Sequence, residues 1–220
     1  MADFIHEAVS CPHCGKESPY TFHLYIDARK QPELHARCSN GTMFDFTCPH
    51  CAKLSRIGYP MLYHDPDRKL MIYVAGERNL PEAMQAMVVG ATAHDVTDAA
   101  QYTARAVTSP MQLMEKLLIF EHELDDRTIE LHKSMLIPVI QEDYCTDSIT
   151  GLLLMDAQGA LMFAVNTKTG LLPISIPLTD EAYAQLHEQC SAFYTKDPFE
   201  NLFVDAAWVE RYLQPNEVLQ

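Results

Sequence analysis

From Tyr20 to Asp27 the chain alternates apolar and polar positions. Tyr20, Phe22, Leu24 and Ile26 share one face, and Thr21, His23, Tyr25 and Asp27 the other, which is the period of a β-strand. Pro32 to Arg37 reads as a short helix, with proline near its first turn and Asn40-Gly41 ending it. Thr42 to Thr47 is a second strand that carries Phe44 and Phe46 on one face. Leu54 to Tyr63 is a third, in which Pro60 predicts an edge position or a bulge. His64 to Lys69 then turns the chain, and Leu70 to Val74 returns it as a fourth strand. The pattern weakens over 76–100, where Pro81 opens a helix through Val89 and Gly90 closes it.

The second half is patterned differently. Tyr102 to Thr108 reads as a strand. Ser109-Pro110 then caps and starts a helix in which Leu113, Leu117, Phe120 and Leu124 recur at helical spacing. Asp125-Asp126 punctuates, and a further helix runs from Arg127 to about Leu136, before Pro138. Ile149 to Met155 is an apolar run that turns at Asp156-Ala157-Gln158-Gly159 into a partner strand, Leu161 to Val165. Asn166 to Gly170 turns again into Leu171–Leu178, which Pro173 and Pro177 restrict to a sheet edge. Thr179-Asp180 caps a helix from Glu181 to about Tyr194, and a last short helix from Ala206 to Leu213 carries the single tryptophan, Trp208.

These elements predict an α+β protein. Residues 1–80 form a β-rich, zinc-ribbon-like module, 81–100 a connecting segment, and 101–220 a domain of helices and a small antiparallel sheet. Charge supports the division. Residues 1–80 hold nine basic and nine acidic side chains, whereas 81–220 hold seven and twenty-one, which accounts for the whole formal charge of −14. A surface of that sign repels phosphate backbones and disfavours nucleic-acid binding. No apolar run reaches the roughly 18 residues of a membrane span. The start Met1-Ala2-Asp3-Phe4-Ile5-His6-Glu7 has no signal-peptide pattern. A cytosolic location is therefore expected, where thiols stay reduced and an odd count of seven cysteines points to metal rather than disulfides.

The chemistry concentrates in a motif written twice, Cys11-Pro12-His13-Cys14 and Cys48-Pro49-His50-Cys51. Two such hooks supply the four thiolates that a tetrahedral Zn²⁺ site needs. The 33 residues between Cys14 and Cys48 hold strand, short helix and strand, which returns the chain to its starting point. One structural zinc ion on Cys11, Cys14, Cys48 and Cys51 is the expectation. Loop N–H groups, with His13 or His50, would support the sulfurs. Gly15 suits the left-handed residue that ends such a turn; Ala52 in the same place pays a steric penalty, so the second hook is expected to be looser or differently shaped. Thiol–disulfide exchange is disfavoured, because both hooks precede strands rather than opening a helix. Cys38, Cys145 and Cys190 lack partners at metal spacing and read as small buried residues.

Two polar clusters remain. His64 beside Asp65 invites a catalytic role, against the plainer reading of a turn residue that orders its neighbours. Along Glu121–His132, His122 and Asp126 stand four apart, at ligand spacing on one helix face. The plainer reading is that Asp125, Asp126 and Glu130 start a helix and cover a solvated face. Phosphate loops, nucleophile elbows and His-Glu-x-x-His motifs are absent.

The two Cys-Pro-x-Cys hooks, Tyr59–Asp65, Glu115–Phe120, Leu124–Glu130 and the C-terminal hairpin and helix together resemble the bacterial CpXC proteins, over nearly the full length. The resemblance implies a bacterial cytosolic protein, supports the four-cysteine site and assigns no activity. The expected function is a protein-interaction or adaptor module with a structural zinc and a protein partner. One alternative is an enzyme using His64 or the Asp125/Asp126/Glu130 cluster, and another is a thiol- or zinc-based redox sensor.

Overall fold

The computed structural model describes residues 2–143, 148–197 and 200–213. The fold is mixed α+β. It divides into two compact units: residues 1–114 with 198–203, and 115–197 with 204–220.

The first unit is built on a four-stranded sheet in the order β3 (Tyr25–Asp27), β6 (Met61–Asp65), β7 (Leu70–Val74), β8 (Thr103–Val107). Its two central strands, MLYHD and LMIYV, are buried at every residue. A strand covered on both faces must carry such a run rather than an alternation. β6 and β7 pair antiparallel, while β3–β6 and β7–β8 are parallel. The β6–β7 turn is closed by Asp65, whose Oδ1 accepts from the N–H groups of Asp67 and Arg68. Here the structure differs from the expected boundary: His64 is the fourth residue of β6, 6% exposed, and not part of the turn.

Helix α2 (Leu80–Ala93) makes the crossover from β7 to β8. Asn79 caps it by accepting from Glu82 N–H. Gly90 lies inside α2 rather than ending it, because the helix meets β6 there: a Cβ on Gly90 would run into Leu62 Cδ2. Residues 81–114, read from sequence as connector and second-domain start, thus complete the first unit's sheet. Parallel pairing with β7 needs a crossover, and α2 supplies it.

Two antiparallel ribbons carry the hooks. β1 (Phe4–Ser10) pairs with β2 (Glu17–His23), and β4 (Asp45–Thr47) with β5 (Leu54–Arg56). Helix α1 (Pro32–Ser39) lies between them in the chain. The single strand expected over Tyr20–Asp27 is two strands, because the chain leaves the β1–β2 ribbon at Leu24 and enters the four-stranded sheet at Tyr25. The strand expected over Leu54–Tyr63 is likewise split into β5 and β6 around Pro60.

The second unit centres on α4 (Asp126–Asp143). One side of α4 packs with Leu152, Leu154, Phe163 and Val165 of the antiparallel sheet β9 (Ile149–Ala157), β10 (Ala160–Thr167), β11 (Gly170–Pro177). Its other side, through Leu131, meets α5 (Asp180–Cys190), α6 (Ala206–Leu213) and Trp208. Gln158 and Gly159 both have positive φ, as a two-residue hairpin between β9 and β10 requires. α4 runs through Pro138 instead of stopping before it. Pro138 lies on the exposed side beside Met135 and Val139, where water can take the carbonyl that loses its partner. Continuing the helix buries Ile140 in the core. Helix α3 (Pro110–Glu121) spans the division, which falls between Met114 and Glu115; Ser109 caps it as expected, accepting from Gln112 N–H. Among the described residues no helix is long and apolar enough to cross a membrane.

Candidate metal centre

Each hook sits at the end of its ribbon, between strands that hold its two cysteines close. In the first, Gly15 N–H donates to Cys11 O at 2.9 Å, Cys11 N–H donates to Lys16 O at 3.0 Å, and His13 N–H points at Cys11 Sγ at 3.4 Å. The second repeats this bond for bond: Ala52 N–H to Cys48 O at 2.9 Å, Cys48 N–H to Lys53 O at 3.0 Å, and His50 N–H to Cys48 Sγ at 3.4 Å. Ala52 takes φ +57° where Gly15 takes +72°. The second hook is therefore not looser or differently shaped. It adopts the same turn and carries the steric cost of alanine in the left-handed region.

The two turns bring Cys11, Cys14, Cys48 and Cys51 together, with all four sulfurs within 4.8 Å of one another. Cys11 and Cys51 Sγ are 3.7 Å apart, as are Cys14 and Cys48 Sγ. A tetrahedral metal with bonds of about 2.3 Å to sulfur has sulfur–sulfur edges of about 3.8 Å. The cluster thus has the size and the donor chemistry to hold a metal ion. Cys11 and Cys48 are fully buried against Phe46, with Val9, Tyr20 and Ile57 around them; Cys51 is half-buried and Cys14 exposed. Of the supporting donors expected, the backbone N–H groups are the ones aimed at sulfur. The exposed His50 instead donates from Nε2 to Glu17 O, tying the second hook to β2.

The cluster's electrostatics follow from crowding. Burial pushes the Cys11 thiol up, but the His13 and Cys14 backbone N–H groups and the Cys48 and Cys14 side chains outweigh it and hold Cys11 at about 6. The Lys53 N–H pulls Cys51 down, yet burial and the other three cysteines drive it up to about 11. Four thiolates at this spacing repel one another, and a divalent cation lets all of them ionise, releasing protons as it binds. Cys38, by contrast, is 1% exposed and pushed up to about 12 by burial, the inert thiol its spacing suggests. Cys190 is half-buried, not fully buried, and packs beside Leu131 and Trp208. Cys145 lies outside the described residues.

His64 sits between two tyrosines: Nδ1 is 2.6 Å from Tyr25 OH and Nε2 3.1 Å from Tyr102 OH. Burial lowers its pKa, against the pull of Asp27 and Asp65. A neutral ring has one donor and one acceptor nitrogen, so both are satisfied by this pair.

The acidic cluster differs from the solvated face expected. Asp125 does start α4: its Oδ1 accepts from Arg127 N–H at 2.9 Å, and Arg127 grips both of its carboxylate oxygens. Asp126 and Glu130, however, are buried, at 0% and 9% exposure. Lys116 Nζ pairs with Asp126 Oδ2 at 2.7 Å and donates to Val204 O at 2.8 Å. Lys133 Nζ bridges Glu115 and Glu130 at 2.7 and 2.8 Å. Glu115 also accepts from Leu154 N–H, holding the free edge of β9. His122 is exposed in the turn before α4, so it shares no helix face with Asp126. Sequence reading passed over Glu115, Lys116 and Lys133. The signal was there: Lys116 stands three residues after Leu113 and four before Phe120, on the apolar stripe of α3.

Matching turns that gather four thiols at the end of two β-ribbons define an α+β protein with a cysteine centre able to hold a metal. Comparison with known families places the chain further. The CpXC protein family matches residues 9–133, more than half the chain, and the chain belongs to it. The matched stretch contains all four clustered cysteines and every member of the buried charge network. Neither a curated protein nor a solved structure matches the chain.

Proposed function

We propose that Cys11, Cys14, Cys48 and Cys51 hold one zinc ion as a structural centre, and that the protein is a cytosolic protein-interaction or adaptor module. The observation that carries the metal reading is the pair of 3.7 Å sulfur separations across the hooks, which fit a tetrahedral shell closed by protein ligands alone. A closed shell keeps no position for substrate, which assigns the ion to folding rather than catalysis. Reduced thiols suit the cytosol. The acidic balance of residues 81–220 favours a protein partner with a basic surface over nucleic acid.

Metal analysis of the purified protein by mass spectrometry is expected to give about one zinc per chain. Cys48→Ser should lose it and open the first unit to protease while residues 115–197 stay resistant, since ligand bonds contribute folding energy directly. Folded, metal-free protein with four freely titratable hook thiols would end the zinc reading. For the adaptor reading, tagged wild-type protein should retain a defined protein from a bacterial lysate, and Cys48→Ser should lose it. Retention unchanged by loss of the metal would separate the interaction from this centre.

A further inference from the structure

The centre is not equally sheltered on all sides. Cys11 and Cys48 are buried at 2% and 0%, Cys51 is half-buried, and Cys14 is exposed. Each of these two less buried cysteines has its sulfur 3.7 Å from that of a buried cysteine of the opposite hook: Cys14 with Cys48, and Cys51 with Cys11. We propose that this cluster is an oxidation site for peroxides, entered at Cys14, in which disulfides form between the hooks and not within them. The proposal rests on the zinc reading for the state from which it starts.

The chemistry balances without further reagents. The Cys14 thiolate attacks one peroxide oxygen; the O–O bond breaks, an S–O bond forms, and the departing hydroxide takes a proton to become water. The Cys48 thiolate then attacks the Cys14 sulfur, forming S–S and breaking S–O, and the second hydroxide is protonated to water. Two thiolates lose two electrons and one peroxide gains them. Cys11 and Cys51 are left facing each other and close the same way with a second equivalent. Entry at Cys14 follows from access, since oxidation selects exposed thiolates. Pairing across the hooks has a structural consequence. The 33 residues between Cys14 and Cys48 remain tied at both ends, so a covalent crosslink replaces the metal and the unit stays closed. Disulfides within a hook would free the two ends instead.

The test uses the full-length, zinc-loaded protein. Hydrogen peroxide is added in steps, released zinc is read with a chromogenic chelator, and disulfides are mapped by digestion and mass spectrometry. Expected are Cys14–Cys48 and Cys11–Cys51 linkages, release of zinc in parallel, loss of four of the seven titratable thiols, and return of all seven with a dithiol reductant. Protease resistance of the first unit should survive oxidation, whereas chelation under reducing conditions should abolish it. Cys11–Cys14 or Cys48–Cys51 linkages, or sulfinic acid without disulfide, would overturn the proposal. If the purified protein carries no zinc, the metal reading fails, but mapping after peroxide still decides the pairing. A Cys38→Ser variant with an unchanged disulfide map excludes scrambling through that buried thiol.

Discussion

One methyl group, on Ala52 but not on Gly15, separates the two hooks and isolates what a single residue contributes. Ala52 and Gly15 hold equivalent turn positions at φ +57° and +72°. A Cβ on Gly15 would meet nothing within 4 Å, so exchange there tests backbone conformation alone. Left-handed alanine costs roughly 1–2 kcal/mol, partly offset by the freedom glycine has when unfolded. Ala52→Gly should therefore stabilise the protein by about 0.5–1 kcal/mol, and Gly15→Ala should cost a similar amount. Thermal denaturation of the two variants decides it; a loss on Ala52→Gly would show that something other than strain governs the second hook. Neighbouring aspartates give a second contrast. Asp125 is a partly exposed cap, and Asp125→Asn still accepts a hydrogen bond, for a loss of about 1 kcal/mol. Asp126 faces buried Lys116, and removing one charge of a buried pair costs roughly 3–5 kcal/mol. Similar losses in both variants would mean that Asp126 is not the buried anchor described.

At the scale of elements, α2 depends on a missing side chain. Alanine is the better helix former by about 1 kcal/mol, yet the Cβ of Gly90→Ala would run into Cδ2 of Leu62, itself buried and short of room to turn. The clash outweighs the propensity: about 1–3 kcal/mol of destabilisation is expected, partly recovered when Leu62→Ala makes room. Denaturant midpoints of the single and double variants measure the coupling, and additive losses would contradict the contact. Elements of this kind also mark what could be read beforehand. β7, the hairpin of β9 and β10, and the caps at Ser109 and Thr179 follow from local pattern, and the structure has them where expected. β1 escaped because its ribbon buries little, leaving FIHEAVS without clear alternation. Gly90 reads locally as a helix end, because the local rule cannot foresee a strand packed against that position. Asp126 and Glu130 read as solvated because their burial depends on α3: Lys116 of α3 pairs with Asp126, and Lys133, three residues along α4 from Glu130, is also held by Glu115 of α3, contacts between helices that no local pattern contains. The gathering of the four cysteines needed no such help, since the hook motif written twice marks all four.

The whole molecule carries these local environments into one pH response. His23, His64 and His94 in the first unit and His132 in the second all have pKa values lowered by burial. A histidine whose folded pKa lies below the unfolded value of about 6.5 takes up its proton more readily in the unfolded chain. Its stabilising contribution is fully present above that unfolded value and is lost as pH falls through it toward the folded pKa. On the alkaline side Tyr20, Tyr73 and Tyr183 are raised by burial, so their contribution is present below the unfolded pKa of about 10 and is lost as pH rises past it. Stability should therefore form a plateau between about pH 7 and 9 and fall on both sides. On the zinc proposal, acid would also reprotonate the hook thiolates and weaken metal binding, a contribution confined to the first unit. The two acid effects separate by following bound zinc alongside the melting temperature from pH 7.5 to 5.5. A drop that begins before zinc is released belongs to the buried histidines. His132→Phe, placed against the Phe163 ring with no proton to gain, should flatten the acid limb of the second unit's unfolding without changing zinc content. An acid limb identical to wild type in that variant would remove His132 from the account, and a melting temperature that rises toward pH 5.5 would overturn the sign for the whole group.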